Sequence, residues 1–120
     1  MSKNILREKS LLFALRIVHA YRFLCERKQE YVLSKQLLRS GTSIGAMVRE
    51  SEYAESQPDF VHKLSVALKE ANETGYWLEL LHSTEYIDSQ TYDSIFADCD
   101  EIIKLLASSI KTVKSKITPK

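Results

Sequence analysis

Few residues in this sequence interrupt a helix. The 120-residue chain contains three glycines and two prolines, and one of the prolines, Pro119, is the penultimate residue. An all-β fold needs many turns, and turns rely on glycine and proline, so this shortage argues against such a fold. Alanine, leucine, glutamate and lysine are abundant instead, and all four are good helix formers. We therefore predict an all-α protein.

Signals for a membrane, for secretion and for metal binding are also missing. No run of 18 apolar residues occurs, and the N-terminal MSKNILREKS lacks the apolar core of a secretory signal. The two cysteines, Cys25 and Cys99, match no metal-binding or redox spacing, and each falls among apolar residues at helical spacing. These features predict a cytoplasmic protein with two buried free thiols and no membrane partner.

Apolar residues recur at helical spacing in four segments. This pattern predicts helices at about 8–27, 31–54, 57–83 and 89–115, within one domain covering residues 1–120. For the first helix, a start nearer Asn4 is also open. Ser56 is a good N-cap for the third helix, where Asp59 at N3 completes a variant capping box. Either Asp88 or Ser89 caps the fourth helix. Four helices with short connections predict an antiparallel up-down-up-down four-helix bundle.

The first helix carries two adjacent apolar stripes. The predicted core stripe is formed by Ala14, Val18, Tyr21 and Cys25. The second stripe lies beside it and is formed by Phe13, Ile17, Ala20 and Leu24. Together they are wider than one bundle seam requires, so we expect part of this surface to face another subunit.

The second helix contains two glycines four residues apart. Gly41 belongs to the packing stripe and Gly45 lies beside it, one turn on. Each glycine costs about 0.5–1 kcal/mol relative to alanine inside a helix, so the pair indicates that a neighbouring helix approaches closely. We predict that this neighbour is the third helix, through its small residues Ala67, Ala71 and Gly75.

No pattern of catalytic or metal-binding residues emerges from the sequence. Glu79 and His82 have the spacing of a carboxylate-bridged di-iron bundle, and Asp59 and His62 imitate it. The two pairs lie on one helix about 30 Å apart, since each residue rises about 1.5 Å, and cannot share a metal. No base stands beside a serine or cysteine, and no phosphate-binding loop, dinucleotide fingerprint or zinc pattern occurs. We expect no catalytic residue, no metal, no cofactor and no enzymatic activity.

The net charge of +1 conceals a strong segregation. Residues 1–49 carry ten Lys and Arg against three Asp and Glu, whereas residues 50–101 carry two against thirteen. Residues 102–120 carry five lysines and no acid. Two interpretations are open. The charges pair between neighbouring helices or face solvent, or the first and last segments form a basic surface and the middle an acidic one.

The same alternatives apply to the arginines of the second helix. Arg39 and Arg49 either form ion pairs with glutamates such as Glu50, Glu70 and Glu73 or contact the phosphates of a nucleic acid. The candidate nucleic-acid contacts are Arg16, Arg22, Lys35, Arg39 and Arg49, with Lys3, Arg7 and Lys9 in support. The tyrosines that would stack on bases, if exposed, are Tyr21, Tyr31 and Tyr53.

Two long runs of the sequence resemble a known family. SKQLLRSGTSIGAMVRES at 34–51 and SQPDFVHKLSVALKEANETGYWLELL at 56–81 are similar to the bacterial four-helix-bundle family of 23S rRNA intervening-sequence proteins, also labelled S23 ribosomal protein. The resemblance extends over nearly the whole chain and implies a homopentamer. That family is related to the accessory protein of diversity-generating retroelements, a basic pentameric barrel that binds nucleic acid and a reverse transcriptase. This sequence has Met47 where the family usually has asparagine, and its charge is nearer neutral.

Two functions from different classes therefore remain open for a non-enzymatic homo-oligomer. The first is binding of structured RNA or DNA through a positive surface from the first helix, the start of the second and the lysine-rich end. The second is a protein-interaction scaffold that presents an oligomeric platform to a reverse transcriptase or another protein, with no role in nucleic-acid binding.

Overall fold

Four helices account for nearly all of the described chain. A computed structural model describes residues 3–117 and contains α1 (Lys3–Lys28), α2 (Leu33–Ser51), α3 (Gln57–Ser83) and α4 (Ser89–Ile117). Consecutive helices pack together, α1 also packs on α4, and the diagonal pairs do not pack within the described range. The predicted all-α four-helix bundle is confirmed. Residues 1–2 and 118–120 of the predicted domain lie outside the described residues.

Three helix boundaries of α1 and α2 are explained by local contacts. α1 begins at Lys3, close to the earlier of the two starts left open by the sequence, and Leu6 in this first turn is buried in the core. α2 begins at Leu33 rather than near residue 31, because the Glu30 carboxylate accepts hydrogen bonds from the first backbone N–H groups. The same helix ends at Ser51, whose hydroxyl donates to the Val48 carbonyl at 2.6 Å.

The predicted caps of α3 and α4 are present in the structure. The Ser56 hydroxyl accepts a hydrogen bond from the Asp59 N–H at 3.1 Å, and the Asp59 carboxylate accepts one from the Glu55 N–H at 3.1 Å. At α4, the Asp88 carboxylate accepts from the Thr91 N–H at 2.8 Å, so Asp88 rather than Ser89 is the N-cap. These bonds satisfy N–H groups that have no partner inside their helices.

The core side of α1 is the second apolar stripe, not the one predicted. Its buried side chains are Leu6, Phe13, Ile17 and Leu24. The stripe of Ala14, Val18, Tyr21 and Cys25 is half-buried at the edge of the bundle. Cys25 is therefore not the buried thiol that was expected, and its sulfur lies 3.8 Å from the Ser34 hydroxyl on α2.

The prediction that the glycines of α2 face α3 is wrong. A Cβ atom at Gly41 would lie 2.8 Å from two carbons of Ile17 on α1, and one at Gly45 would lie 3.5 Å from the Ser10 carbonyl oxygen. Gly75 faces Phe96 on α4 instead. The α3 side of α2 is occupied by Ser40, whose hydroxyl accepts a buried hydrogen bond from Thr74 at 2.9 Å.

The small residues of α3 lie inside the bundle. Ala67 and Ala71 are fully buried. The Ala71 carbonyl accepts a hydrogen bond from the Cys99 thiol of α4 at 3.3 Å. Within the described residues, none of the four helices has the combination of length and apolarity that a transmembrane helix requires.

Alanine substitutions at the two glycines of α2 should have opposite effects on the stability of the protein. Gly41→Ala places a methyl group against the buried Ile17, and such overpacking costs about 1–3 kcal/mol. Gly45→Ala adds only ordinary van der Waals contacts and removes a flexible residue from a helix, so it should stabilise the protein by about 0.4–1 kcal/mol. Urea unfolding of both variants checks this, and destabilisation by Gly45→Ala of the same size as by Gly41→Ala would contradict it.

Candidate nucleic-acid interface

Two of the five predicted nucleic-acid contacts form ion pairs between helices. Arg16 Nη1 lies 2.8 Å from Asp98 Oδ2 on α4. Arg39 pairs with two carboxylates of α3, Glu70 at 3.2 Å and Glu73. Glu73 also accepts a hydrogen bond from Trp77 Nε1 at 2.8 Å. This hydrogen bond is the largest cause that lowers the pKa of Glu73, and the interaction with Arg39 is the second. The ion-pair interpretation of Arg39 is therefore correct.

Other charges of α1 and α2 are paired in the same way. Arg7 lies 3.4 Å from Glu52, just after the end of α2, and Lys9 lies 3.2 Å from Glu101 on α4. Glu50 at the end of α2 pairs with Lys63 of α3 at 3.2 Å. Exposed pairs of this kind contribute about 0–1 kcal/mol each, so their main effect here is to neutralise the seams between helices.

Four of the cations without such partners lie near the connection between α1 and α2. We call this cluster the basic turn; it consists of Arg22, Arg27, Lys28 and Lys35. No described carboxylate pairs with any of them within 4.0 Å. Since α1 ends at Lys28 and α2 begins at Leu33, all four lie within about two helical turns of the connection.

The five predicted contacts are thus divided among four places. Arg22 and Lys35 belong to the basic turn, and Arg49 lies near the other end of α2, in a shallow groove against Leu11 and Ala14 of α1. Arg16 and Arg39 lie in the α1–α4 and α2–α3 seams.

Sequence reasoning missed two members of the basic turn. Arg27 and Lys28 occupy the last turn of α1. Cations in the last turn of a helix commonly compensate the helix dipole. Their position in the sequence therefore gives no separate indication that they belong to the basic turn.

The lysine-rich end of α4 does not join the basic turn. Lys104 pairs with Asp100 at 3.1 Å. Lys116 lines a pocket of about 310 Å³ together with Leu6 of α1 and Phe60 of α3, at the end of the bundle opposite the basic turn. The predicted positive surface is therefore split between the two ends of the molecule.

Glu30 lies in the sequence between Lys28 and Lys35 of the basic turn, but its carboxylate is buried and bonded to backbone N–H groups. Its carboxylate accepts three backbone hydrogen bonds, from Val32 at 3.2 Å, Leu33 at 2.9 Å and Ser34 at 2.7 Å. Burial raises the pKa of this carboxyl, but the three N–H groups outweigh it and hold the pKa below its ordinary value. The charge is thus held at the positive end of the α2 dipole.

The chain conformation at Gln29 makes this cap possible. Gln29 has a φ of 50°, in the left-handed region, and the N–H of Glu30 donates to the Leu24 carbonyl at 3.0 Å. This arrangement closes the end of α1 and turns the chain towards the start of α2.

Exposed aromatic rings accompany the basic turn. Tyr31 is 54% exposed, and Lys28 Nζ lies 5.9 Å from the centre of the partly exposed Phe23 ring. Of the other tyrosines considered for stacking, Tyr21 is half-buried, whereas Tyr53 is 86% exposed at the opposite end of the bundle.

A pocket of about 380 Å³ lies next to the basic turn, between α1 and the α3–α4 connection. Phe23, His82 and Tyr86 contribute rings to it, Lys28 borders it and the buried Ile87 contributes to its lining. The His82 ring is fixed in place, because it stacks on Tyr92 with centroids 4.5 Å apart and its Nε2 lies 3.0 Å from the Ser89 hydroxyl.

Two other kinds of site, a metal centre and a reactive thiol, were considered among the described residues. No three His, Cys, Asp or Glu side chains between 3 and 117 are grouped so that they could hold a metal ion. Burial is the main cause that raises the pKa of the Cys99 thiol to about 12, and the negative charge of Asp100 adds to it. This sulfur therefore stays protonated and unreactive near neutral pH.

Comparison with known proteins identifies the family. The model of the 23S rRNA-intervening sequence protein family matches residues 2–108. The chain belongs to this family. It is also 59% identical to a protein of unknown function from the S23 ribosomal protein family of Bacteroides thetaiotaomicron VPI-5482, whose crystal structure superimposes with a TM-score of 0.91. That likeness covers 92% of this chain and 99% of the other. No functionally curated protein matches.

Glu30 gives this part of the molecule a pH-dependent stability. Glu30→Gln should destabilise the protein by about 0.5–2 kcal/mol at pH 7, because the charged cap of α2 is lost. The pKa of Glu30 is lowered in the folded state, so its contribution is complete above the unfolded value of about 4.5 and disappears as the pH falls through the folded value. Urea unfolding of both proteins should show a constant difference from pH 6 to 8 that narrows in acid. A difference that widens in acid would contradict this role.

Proposed function

We propose that this family member is a non-enzymatic homo-oligomer that binds RNA or DNA through its basic turn. The observation that carries the proposal is the set of four cations, Arg22, Arg27, Lys28 and Lys35, that no described carboxylate pairs with. A phosphate at Arg16 or Arg39 would have to displace a carboxylate, whereas a phosphate at the basic turn would displace no paired carboxylate.

This proposal has a quantitative consequence in salt. Each phosphate neutralised on a duplex contributes about 0.9 to the slope of log affinity against log salt concentration. Four contacts per subunit therefore correspond to a slope of about −3.6, and several subunits acting on one nucleic acid would increase both the slope and the avidity.

The exposed leucines of α1 support assembly into a homo-oligomer. Leu11, Leu12 and Leu15 are 48–56% exposed. Adjacent apolar side chains on a surface helix are typical of a protein interface, and a second copy of the chain is the occupant that the family resemblance favours, in a pentamer. Leu11, Leu15 and Arg22 follow helical spacing, so the apolar face continues into the basic turn along the same side of α1.

Neutralising the basic turn should weaken nucleic-acid binding selectively. The triple variant Arg27→Gln/Lys28→Gln/Lys35→Gln should bind RNA or DNA at least about tenfold more weakly at low salt, with a salt slope smaller by about 2–3. The matched control, Lys9→Gln/Arg16→Gln/Arg39→Gln, removes the same charge from residues that form ion pairs and should change affinity much less. Fluorescence anisotropy across a salt series measures both.

Three results would count against this function. Equal losses in the two triple variants would indicate net charge rather than the basic turn. Absence of salt-dependent binding by the unmodified protein would overturn the proposal. Recovery of a protein partner after nuclease treatment, without any bound nucleic acid, would favour the scaffold function instead.

A single charge on the exposed face of α1 should disrupt assembly. Leu15→Lys would desolvate a cation in the proposed subunit contact, so we expect a monomer mass in light scattering at micromolar concentration. Tyr76→Lys is the matched control, since Tyr76 is 55% exposed on α3, away from this face, and should leave the oligomer intact. A monomeric unmodified protein, or an unchanged oligomer in Leu15→Lys, would contradict the proposed interface.

A further inference from the structure

We propose that the pocket beside the basic turn holds an unpaired nucleobase, so that the protein binds single-stranded segments in preference to continuous duplex. The inference rests on the nucleic-acid binding proposed above and specifies its ligand. It combines three features at one end of the bundle: an exposed aromatic ring, a concave space next to it, and cations at its border.

The lining of the pocket suits the flat faces of a base. Phe23 and Tyr86 offer aromatic surface, and the buried Ile87 adds apolar surface. The volume of about 380 Å³ leaves room for one heterocycle. Stacking of bases on aromatic side chains tolerates any sequence, because every base has a π-face. Phe23 is 43% exposed, and a stacked base would remove that apolar surface from water.

The charges inside the pocket differ from those at its border. Glu85 and Asp88 contribute to the lining, and their carboxylates would repel a phosphate. The Asp88 carboxylate is also engaged with the Thr91 N–H at 2.8 Å. The pocket is therefore suited to the uncharged part of a nucleotide. Lys28 also contributes to the lining, at the border of the pocket, whereas Arg27 and Lys35 do not. The phosphates on either side of an inserted base would pass on that side.

Lys28 belongs both to the lining of the pocket and to the basic turn. Its Nζ atom lies over the Phe23 ring, 5.9 Å from the ring centre. A base stacked on that face would displace the ammonium group to the edge of the base, where it can reach a phosphate. Tyr31 follows three residues later and is 54% exposed, which provides a second surface for the adjacent base. Bases of a continuous duplex cannot use either ring unless they leave the stack, which costs a few kcal/mol per base.

The opposite end of the bundle provides the natural control. Tyr53 is 86% exposed and is therefore at least as accessible as Tyr31. It lies between Glu52 and Glu55 in the sequence, rather than among cations, and it lines none of the pockets described above. If any exposed tyrosine sufficed, Tyr53 would contribute as much to binding as Tyr31.

The experiment uses the full chain and a single-stranded oligonucleotide containing 2-aminopurine, whose fluorescence is quenched when the base stacks. We expect quenching and tight binding with the single strand, and weaker binding with the same sequence in a blunt duplex. Phe23→Leu keeps an apolar side chain but no ring, and should weaken single-strand binding about tenfold and abolish the quenching. Tyr31→Ala should also weaken it, whereas Tyr53→Ala should change neither quantity.

The possible failures are distinguishable. If the unmodified protein binds no nucleic acid, the proposed function fails and the base pocket fails with it. If it binds duplex and single strand equally, without quenching, only the base pocket is overturned. Light scattering of Phe23→Leu completes the test. If Phe23→Leu is no longer an oligomer, and the oligonucleotide that it still binds is still quenched, then Phe23 contributes to a subunit contact and not to the base pocket.

Discussion

The contact between Gly41 and Ile17 sets the spacing of the first two helices. A Cβ atom at Gly41 would lie only 2.8 Å from the Ile17 side chain, so this separation depends on a residue without one. Closely spaced helices need a connection whose ends are equally close, and the left-handed Gln29 followed by the Glu30 cap provides it. The cations before and after that connection therefore lie at the same end of the bundle.

The distribution of unpaired charge follows from where the carboxylates lie. Acidic side chains of α3 and α4 face the cations of the α2–α3 and α1–α4 seams, as in the pairs of Arg39 with Glu70 and of Arg16 with Asp98. The basic turn lies beyond those seams, and its buried acid, Glu30, is directed at the N-terminus of α2. A chain with a net charge of +1 can therefore still present a local cluster of cations.

Periodicity and capping chemistry were enough to predict the fold, because they depend on residues close in sequence. The cap of α3 formed by Ser56 and Asp59 is an example. Periodicity indicates which side of a helix is buried but not which neighbour covers it, so it does not distinguish α1 from α3 as the helix that Gly41 contacts. The same limit applies to the candidate site, because Phe23 and Tyr86 meet only through the packing of α1 on the α3–α4 connection.

The unequal packing of α1 has a consequence for how the protein folds. This helix packs extensively on α2 but much less on α4, and it keeps leucines on its outer side. Its docking would therefore gain from contacts outside the chain. In an assembly, neighbouring copies would supply those contacts, so completion of the fold and association would become a single coupled process. The protection of α1 amides from hydrogen exchange would then depend on protein concentration, while that of α3 would not.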